Sequence, residues 1–256
     1  MSGTSQTKDA WEPTLLSQLA ATNHTVIVFD NRGMGETTAG TQQPFSIEQF
    51  ANDTAGLLDA LQIEKADVFG ASLGSFVAQE LALNYPEKVD RLILHATYCG
   101  GNETVYPSGQ AAETLMTLAS PEVLQNMTAE QQAMILAPIL FPLEWLEEHP
   151  EILNTTVIQL TPIRSASAEI IQQQGLAVGT WTVQGGSCDR LANIMHPTLL
   201  IVGDQDLLAP AANSVMMAQR ILNSQLVIIE ETGHGAMWQV PNEFTANVQN
   251  FLESAK

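Results

Sequence analysis

The chain has 256 residues, 45% of them hydrophobic, which is enough for one full core with an insertion beside it. Its 28 acids against 9 bases give a net charge of −19, and no Lys/Arg cluster is present to neutralise phosphates, so nucleic acid is excluded as an expected partner. No apolar stretch approaches the length of a membrane span, and Met1 to Ala10 is polar, without the apolar region of a signal peptide.

In chain order, Trp11 to Ala21 has helical spacing, with Leu15, Leu16 and Leu19 on one face and Pro13 in the first turn. Thr25-Val26-Ile27-Val28-Phe29-Asp30 reads as a strand running into the glycine-punctuated loop Asn31 to Thr37. Ser46 with Gln49 has the spacing of a capping box opening a helix to about Leu61. Ala66 to Phe69 is an apolar strand, Ser75 to Tyr85 a helix and Val89 to Thr97 another strand, the alternation of a parallel sheet. Between Cys99 and about Leu191 that alternation stops. Short helices are expected there, broken at Pro121, Pro138, Pro142, Pro150 and Pro162. Their apolar side is Leu115, Met116, Leu118, Met134, Ile135, Leu136, Trp145 and Leu146, expected to serve packing rather than a pocket. A helical insertion between two strands at their active edge is a cap. The sheet resumes with Thr198 to Val202 and Gln225 to Glu230, and Pro241 to Leu252 closes the chain as a helix.

The junction between the Ala66 strand and the Ser75 helix is Gly70-Ala71-Ser72-Leu73-Gly74. A serine there is held out of the sheet on a sharp turn, and glycines two residues either side suit a strained turn whose helix passes close to the strand. The plain alternative is a serine that merely caps a helix. Gly203-Asp204-Gln205-Asp206 ends the Thr198 strand and Thr232-Gly233-His234-Gly235 follows the Gln225 strand, so Ser72, a carboxylate and His234 emerge at the same carboxyl edge. From position alone either Asp204 or Asp206 could be the acid, or a turn residue.

These pieces together resemble the α/β-hydrolase superfamily, and most closely small cap-bearing esterases, enol-lactonases and perhydrolase-like enzymes. The matching segments are Asp30 to Gly35, Gly70 to Gly74, Tyr85 to Leu94, Gly203 to Asp206 and Gly233-His234, in the order Ser, Asp, His. The resemblance covers nearly the whole chain outside the cap. It implies an α/β fold, a mostly parallel sheet flanked by helices, with a core at 1–98 and 194–256 and a helical cap at 99–193. Its Gly-x-x-Asp pattern favours Asp206. It further implies acyl transfer: His234 takes the Ser72 proton, Asp206 orients the imidazole, and an oxyanion hole uses the Leu73 amide and a second donor. The family's His-Gly is reduced here to Gly3-Thr4-Ser5, which makes Thr4 the candidate for that donor. No cofactor and no metal is called for.

From Leu92 to Ile163 there is no Lys or Arg, but eight glutamates: Glu103, Glu113, Glu122, Glu130, Glu144, Glu147, Glu148 and Glu151. Such a surface would repel polyanions, so the expected substrate is a small neutral ester or lactone, the alternative being a merely solvated acidic face. Rival functions are perhydrolase or haloperoxidase-like acyl transfer on the same triad, and a catalytically silent ligand-binding homologue. Family members have three strands ahead of Gly3, one of them between Thr25–Asp30 and Ala66–Gly70; their absence leaves a gap in the sheet and suggests a truncated gene product. Five Asn-x-Thr sequons, at Asn23, Asn52, Asn102, Asn126 and Asn154, suggest export of a longer product. Cys99 and Cys188 flank the cap and are read either as a disulfide or as two buried thiols.

Overall fold

A computed structural model describes residues 1–22, 24–41, 43–161 and 166–254. The elements are α1 (Pro13–Ala21), α2 (Ile47–Ala60), β1 (Ala66–Ala71), α3 (Leu73–Asn84) and β2 (Val89–His95), followed by a helical stretch of α4 (Gly109–Ala119), α5 (Pro121–Asn126), α6 (Ala129–Leu140), α7 (Leu143–Glu148), α8 (Ile152–Thr155) and α9 (Ala168–Val183). Then come β3 (Thr198–Gly203), α10 (Ala211–Ala218), β4 (Ser224–Ile229), α11 (Ala236–Gln239) and α12 (Pro241–Ser254). Among the described residues the strands form one parallel sheet in the order β1-β2-β3-β4.

Parallel strands need crossover helices, which cover both faces, and all six residues of the central β3 are buried accordingly, whereas the edge strand β4 is mostly half-buried or exposed. Side chains alternate between the faces. Leu92, Leu94 and Leu200 pack toward α2 and α3 with Phe50, Phe76 and Leu81, whereas Ile93, Leu199 and Ile201 pack toward α1 and α12 with Leu15, Phe244 and Val248.

Several expectations are corrected. Thr25 to Asp30 carries no ladder and is not a strand. A strand needs a neighbour, and β1, the nearest, lies across an apolar cavity of about 180 Å³ lined by Leu15, Leu19, Val26, Val28, Leu57, Leu58, Val68 and Phe69 among others. Among the described residues the exposed edge of β1 is hydrogen-bonded by Met1, whose amino group donates to the Phe69 carbonyl (2.6 Å) and whose carbonyl accepts from the Ala71 amide (3.1 Å). The capping box is half made: Ser46 Oγ accepts from the Gln49 amide (3.1 Å), while the Gln49 side chain, buried, has no partner among the described residues. Pro138 does not break a helix. It sits inside α6, whose last residue is only two further on, so its missing N–H removes a single bond, and the Phe141 amide still reaches the Ala137 carbonyl (2.9 Å). Of the apolar side expected between Cys99 and Leu191, Leu118 is buried, but Leu115, Met116 and Met134 face solvent. Asn23, Pro162 and Ile163 lie outside the described residues.

Cys99 and Cys188 are disulfide-bonded, with Cα atoms 4.8 Å apart, at the two ends of the helical stretch. A second tie lies beside it. The fully buried Glu80 of α3 accepts from Trp181 Nε1 of α9 (2.8 Å) and from Arg190 (Nη1, 3.0 Å). All eight glutamates of the Leu92–Ile163 segment are exposed, Glu103 in an ion pair with Arg220. Asn52, Asn102, Asn126 and Asn154 are exposed as well. Among the described residues no helix is long and apolar enough to cross a membrane.

Candidate active site

Ser72 is the residue on which β1 turns into α3, with φ 51° and ψ −122°. A non-glycine residue at positive φ is strained and persists only where neighbours fix it. Here the Ser72 amide donates to the His95 carbonyl at the end of β2 (3.0 Å), and Ser75 Oγ donates to the Ser72 carbonyl (2.6 Å). Both elbow glycines are sterically required: a Cβ on Gly70 would overlap the Gly74 carbonyl, and one on Gly74 would overlap the Met1 carbonyl. Below the elbow, Gln79 Nε2 donates to Thr97 Oγ1 (2.9 Å) and the Tyr98 carbonyl (3.1 Å), while its Oε1 accepts from Ser187 Oγ (2.5 Å). The helical stretch is thus anchored on the same helix that carries the serine.

Asp206 follows β3 and is buried; its Oδ1 accepts from the Leu208 and Ala209 amides, both at 2.8 Å. Its carboxylate faces His234 Nδ1 with both oxygens, at 3.0 and 2.9 Å. Burial alone would raise the Asp206 carboxyl, but the adjacent His234 and the amide donors outweigh it and hold the group below the usual carboxylate range. Asp204 is exposed and instead accepts from the Thr232 amide (3.2 Å), fixing the start of the histidine loop. His234 itself is only 8% exposed. Its loop is clamped by the end of α6: the Gly235 amide donates to the Leu140 carbonyl (2.8 Å), and a Cβ at Gly235 would run into the Phe141 ring.

The turn Gly3-Thr4-Ser5 lies beside the serine, since a Cβ at Gly3 would come within 3.3 Å of Ser72 Cβ. The Gly3 amide is taken by Gln6 Oε1 (3.0 Å) and that of Ser5 by Gln174 Oε1 (2.8 Å), which leaves the Thr4 amide, on an exposed residue, without a protein acceptor among the described residues. The Leu73 amide, at the first position of α3, is likewise unbonded. The sequence does not flag His95. This buried ring at the end of β2 sits 3.1 Å (Nδ1) from the Ile201 carbonyl, stacks 6.4 Å from the His234 ring and meets Phe244 edge-on at 4.8 Å. Its burial, and then the neighbouring charge of His234, push its imidazole down to about 4. A histidine closing the apolar run Leu92-Ile93-Leu94 is the signal that could have marked it. Among the described residues no group of three or more His, Cys, Asp or Glu is placed to hold a metal ion.

A family model described as alpha/beta hydrolase fold matches residues 2–241. The chain belongs to that family. A poly(3-hydroxyalkanoate) depolymerase of Ectopseudomonas oleovorans is 32% identical over 209 residues, covering 82% of this chain and 68% of its own. A protein of Pseudomonas savastanoi pv. phaseolicola whose name reads carbamate hydrolase RutD is 27% identical over 232 residues, 91% of this chain and 85% of its own. Among solved structures, a thermophilic esterase from Thermogutta terrifontis superposes with a TM-score of 0.79 at 25% identity, over 99% of this chain and 88% of that one. The protein is an α/β hydrolase.

Proposed function

We propose that this α/β hydrolase is a serine hydrolase that cleaves a small neutral carboxylic ester or lactone through an acyl-enzyme. Ser72 is the nucleophile, His234 its general base and then the acid for the leaving alkoxide, and Asp206 the group that orients and stabilises the imidazolium. The Leu73 and Thr4 amides receive the tetrahedral oxyanion, and residues 99–193 act as a cap over the site. The observation that carries this reading is the buried two-oxygen contact between Asp206 and His234, set at the same sheet edge as a serine strained at φ 51°. In the first step the Ser72 oxygen bonds the acyl carbon, its proton passes to His234, and the alkoxide leaves with that proton. Water repeats the sequence on the acyl-enzyme and restores Ser72. The ester-cleaving relatives support this acyl chemistry, and the exposed glutamates support a neutral substrate. A carbamate, the bond named for one relative, offers the same carbon with a nitrogen leaving group and is the comparison substrate.

A fluorophosphonate should label wild type at Ser72, and Ser72→Ala should remove on the order of 10⁶ in turnover of short p-nitrophenyl esters. Asp206→Asn is expected to cost about 10⁴ in kcat, by leaving the imidazole in the wrong tautomer, while Asp204→Asn costs under about tenfold. Unlabelled Ser72 with full activity in Ser72→Ala refutes the assignment, and a reversed ranking of the two aspartates moves the acid to Asp204.

A further inference from the structure

We propose that Gln174, on α9 of the helical stretch, is a positioning residue for the oxyanion donor; this rests on the acyl-transfer reading above. The turn it touches is short and strained. Ser5 has φ 58°, the left-handed region that disfavours any residue but glycine, so the turn reverts to a relaxed shape unless something holds it. The hold is the Ser5 amide donating to Gln174 Oε1 at 2.8 Å, a buried bond between residues 169 apart in the chain. Among the described residues the other supports of the turn come from within it or beside it: the Gln6 amide to the Gly3 carbonyl (3.3 Å), Ser2 Oγ to the Gln6 carbonyl (3.1 Å), the Gly3 amide to Gln6 Oε1 (3.0 Å) and Asn31 Nδ2 to the Ser2 carbonyl (3.5 Å).

Gln174 is fully buried, and its Nε2 has no partner among the described residues. A buried amide with only half its groups satisfied is a poor device for stability, since an apolar side chain of the same length would avoid the desolvation of the bare N–H2. What the glutamine supplies that an apolar residue does not is an acceptor at Ser5. The next residue back is Thr4, whose amide is unbonded, and the one before that packs against Ser72. The helical stretch thereby fixes the height of the Thr4 donor above the nucleophile, and a shift of about 1 Å there is enough to cost ~100-fold in rate.

The test compares Gln174→Leu with wild type on p-nitrophenyl butyrate, with rates expressed per site labelled by fluorophosphonate. The expected result is a kcat lower by about 10- to 100-fold at a KM within about twofold, because the oxyanion forms only in the transition state. Adding Ser5→Gly, which removes the strain at φ 58°, should restore part of the lost kcat. If Gln174→Leu does not accumulate as folded protein, Gln174→Asn, one methylene short of Ser5, should show the same selective loss. An unchanged kcat per labelled site, or a loss that Ser5→Gly leaves untouched, overturns the assignment to Gln174 alone. A wild type that fluorophosphonate does not label overturns the serine hydrolase reading with it.

Discussion

At the residue scale the site depends on a few groups kept in conformations or protonation states they would not adopt in water. Ser72 and Ser5 sit at positive φ, Asp206 stays ionised though buried, and His95 stays neutral. The last has a measurable consequence. A histidine whose pKa is about 4 folded and 6.5 unfolded takes up its proton first in the unfolded chain, so its contribution is intact above pH 6.5 and is lost as pH falls toward 4. The size is about 3 kcal/mol over that interval. Chemical denaturation across pH 4 to 7 should show this slope in wild type and not in His95→Leu; equal slopes would mean that His95 is not buried neutral. Asp206 acts lower, because its depressed carboxyl loses its contribution only as pH falls below the ordinary carboxylate range. The elbow was legible in the sequence, since Gly-x-Ser-x-Gly states a local steric demand within five residues. Gln174 was not: its partner is 169 positions away, and the polar run Gln172-Gln173-Gln174 looks like any solvated helix face.

At the scale of elements, β1 to β4 and the long helices α3 and α12 are near where apolar runs and caps put them, because each is decided by its own pattern. Thr25 to Asp30 has the composition of a strand and fails to be one, since a strand is a relation between two segments and the second is not beside it. The helical stretch is fastened to the core by Cys99–Cys188 and by Glu80 with Trp181 and Arg190. The disulfide closes a loop of 89 residues, which on the chain-entropy scale contributes about 4.6 kcal/mol. Cys99→Ala/Cys188→Ala, or wild type under reductant, should lose that much in urea denaturation, while keeping turnover at 25 °C through the Glu80 tie. A loss under about 1 kcal/mol would show that the denatured chain is already compact across this loop.

At the scale of the whole molecule, the acidic surface and the parallel sheet follow from composition and alternation, and both could be read before any coordinates. The cavity between Val26–Val28 and β1 could be anticipated only as a gap, not as a lined space. Its walls are mostly leucine, valine and phenylalanine, with His24, Thr25, Thr54 and Asp67 among them, and a largely apolar pocket of this kind takes up small hydrophobic molecules. Benzene at about ten times its Kd should therefore stabilise the fold by about 1.4 kcal/mol. That corresponds to a Tm rise of roughly 3 °C, and Val28→Trp, which fills the space, should abolish it. An unchanged Tm in wild type would show the walls closed on one another in solution. Organic cosolvents are then not inert diluents for this protein: a small apolar solvent such as toluene is expected to enter the space between Val26–Val28 and β1 as benzene does, so rates measured in it would belong to a solvated form.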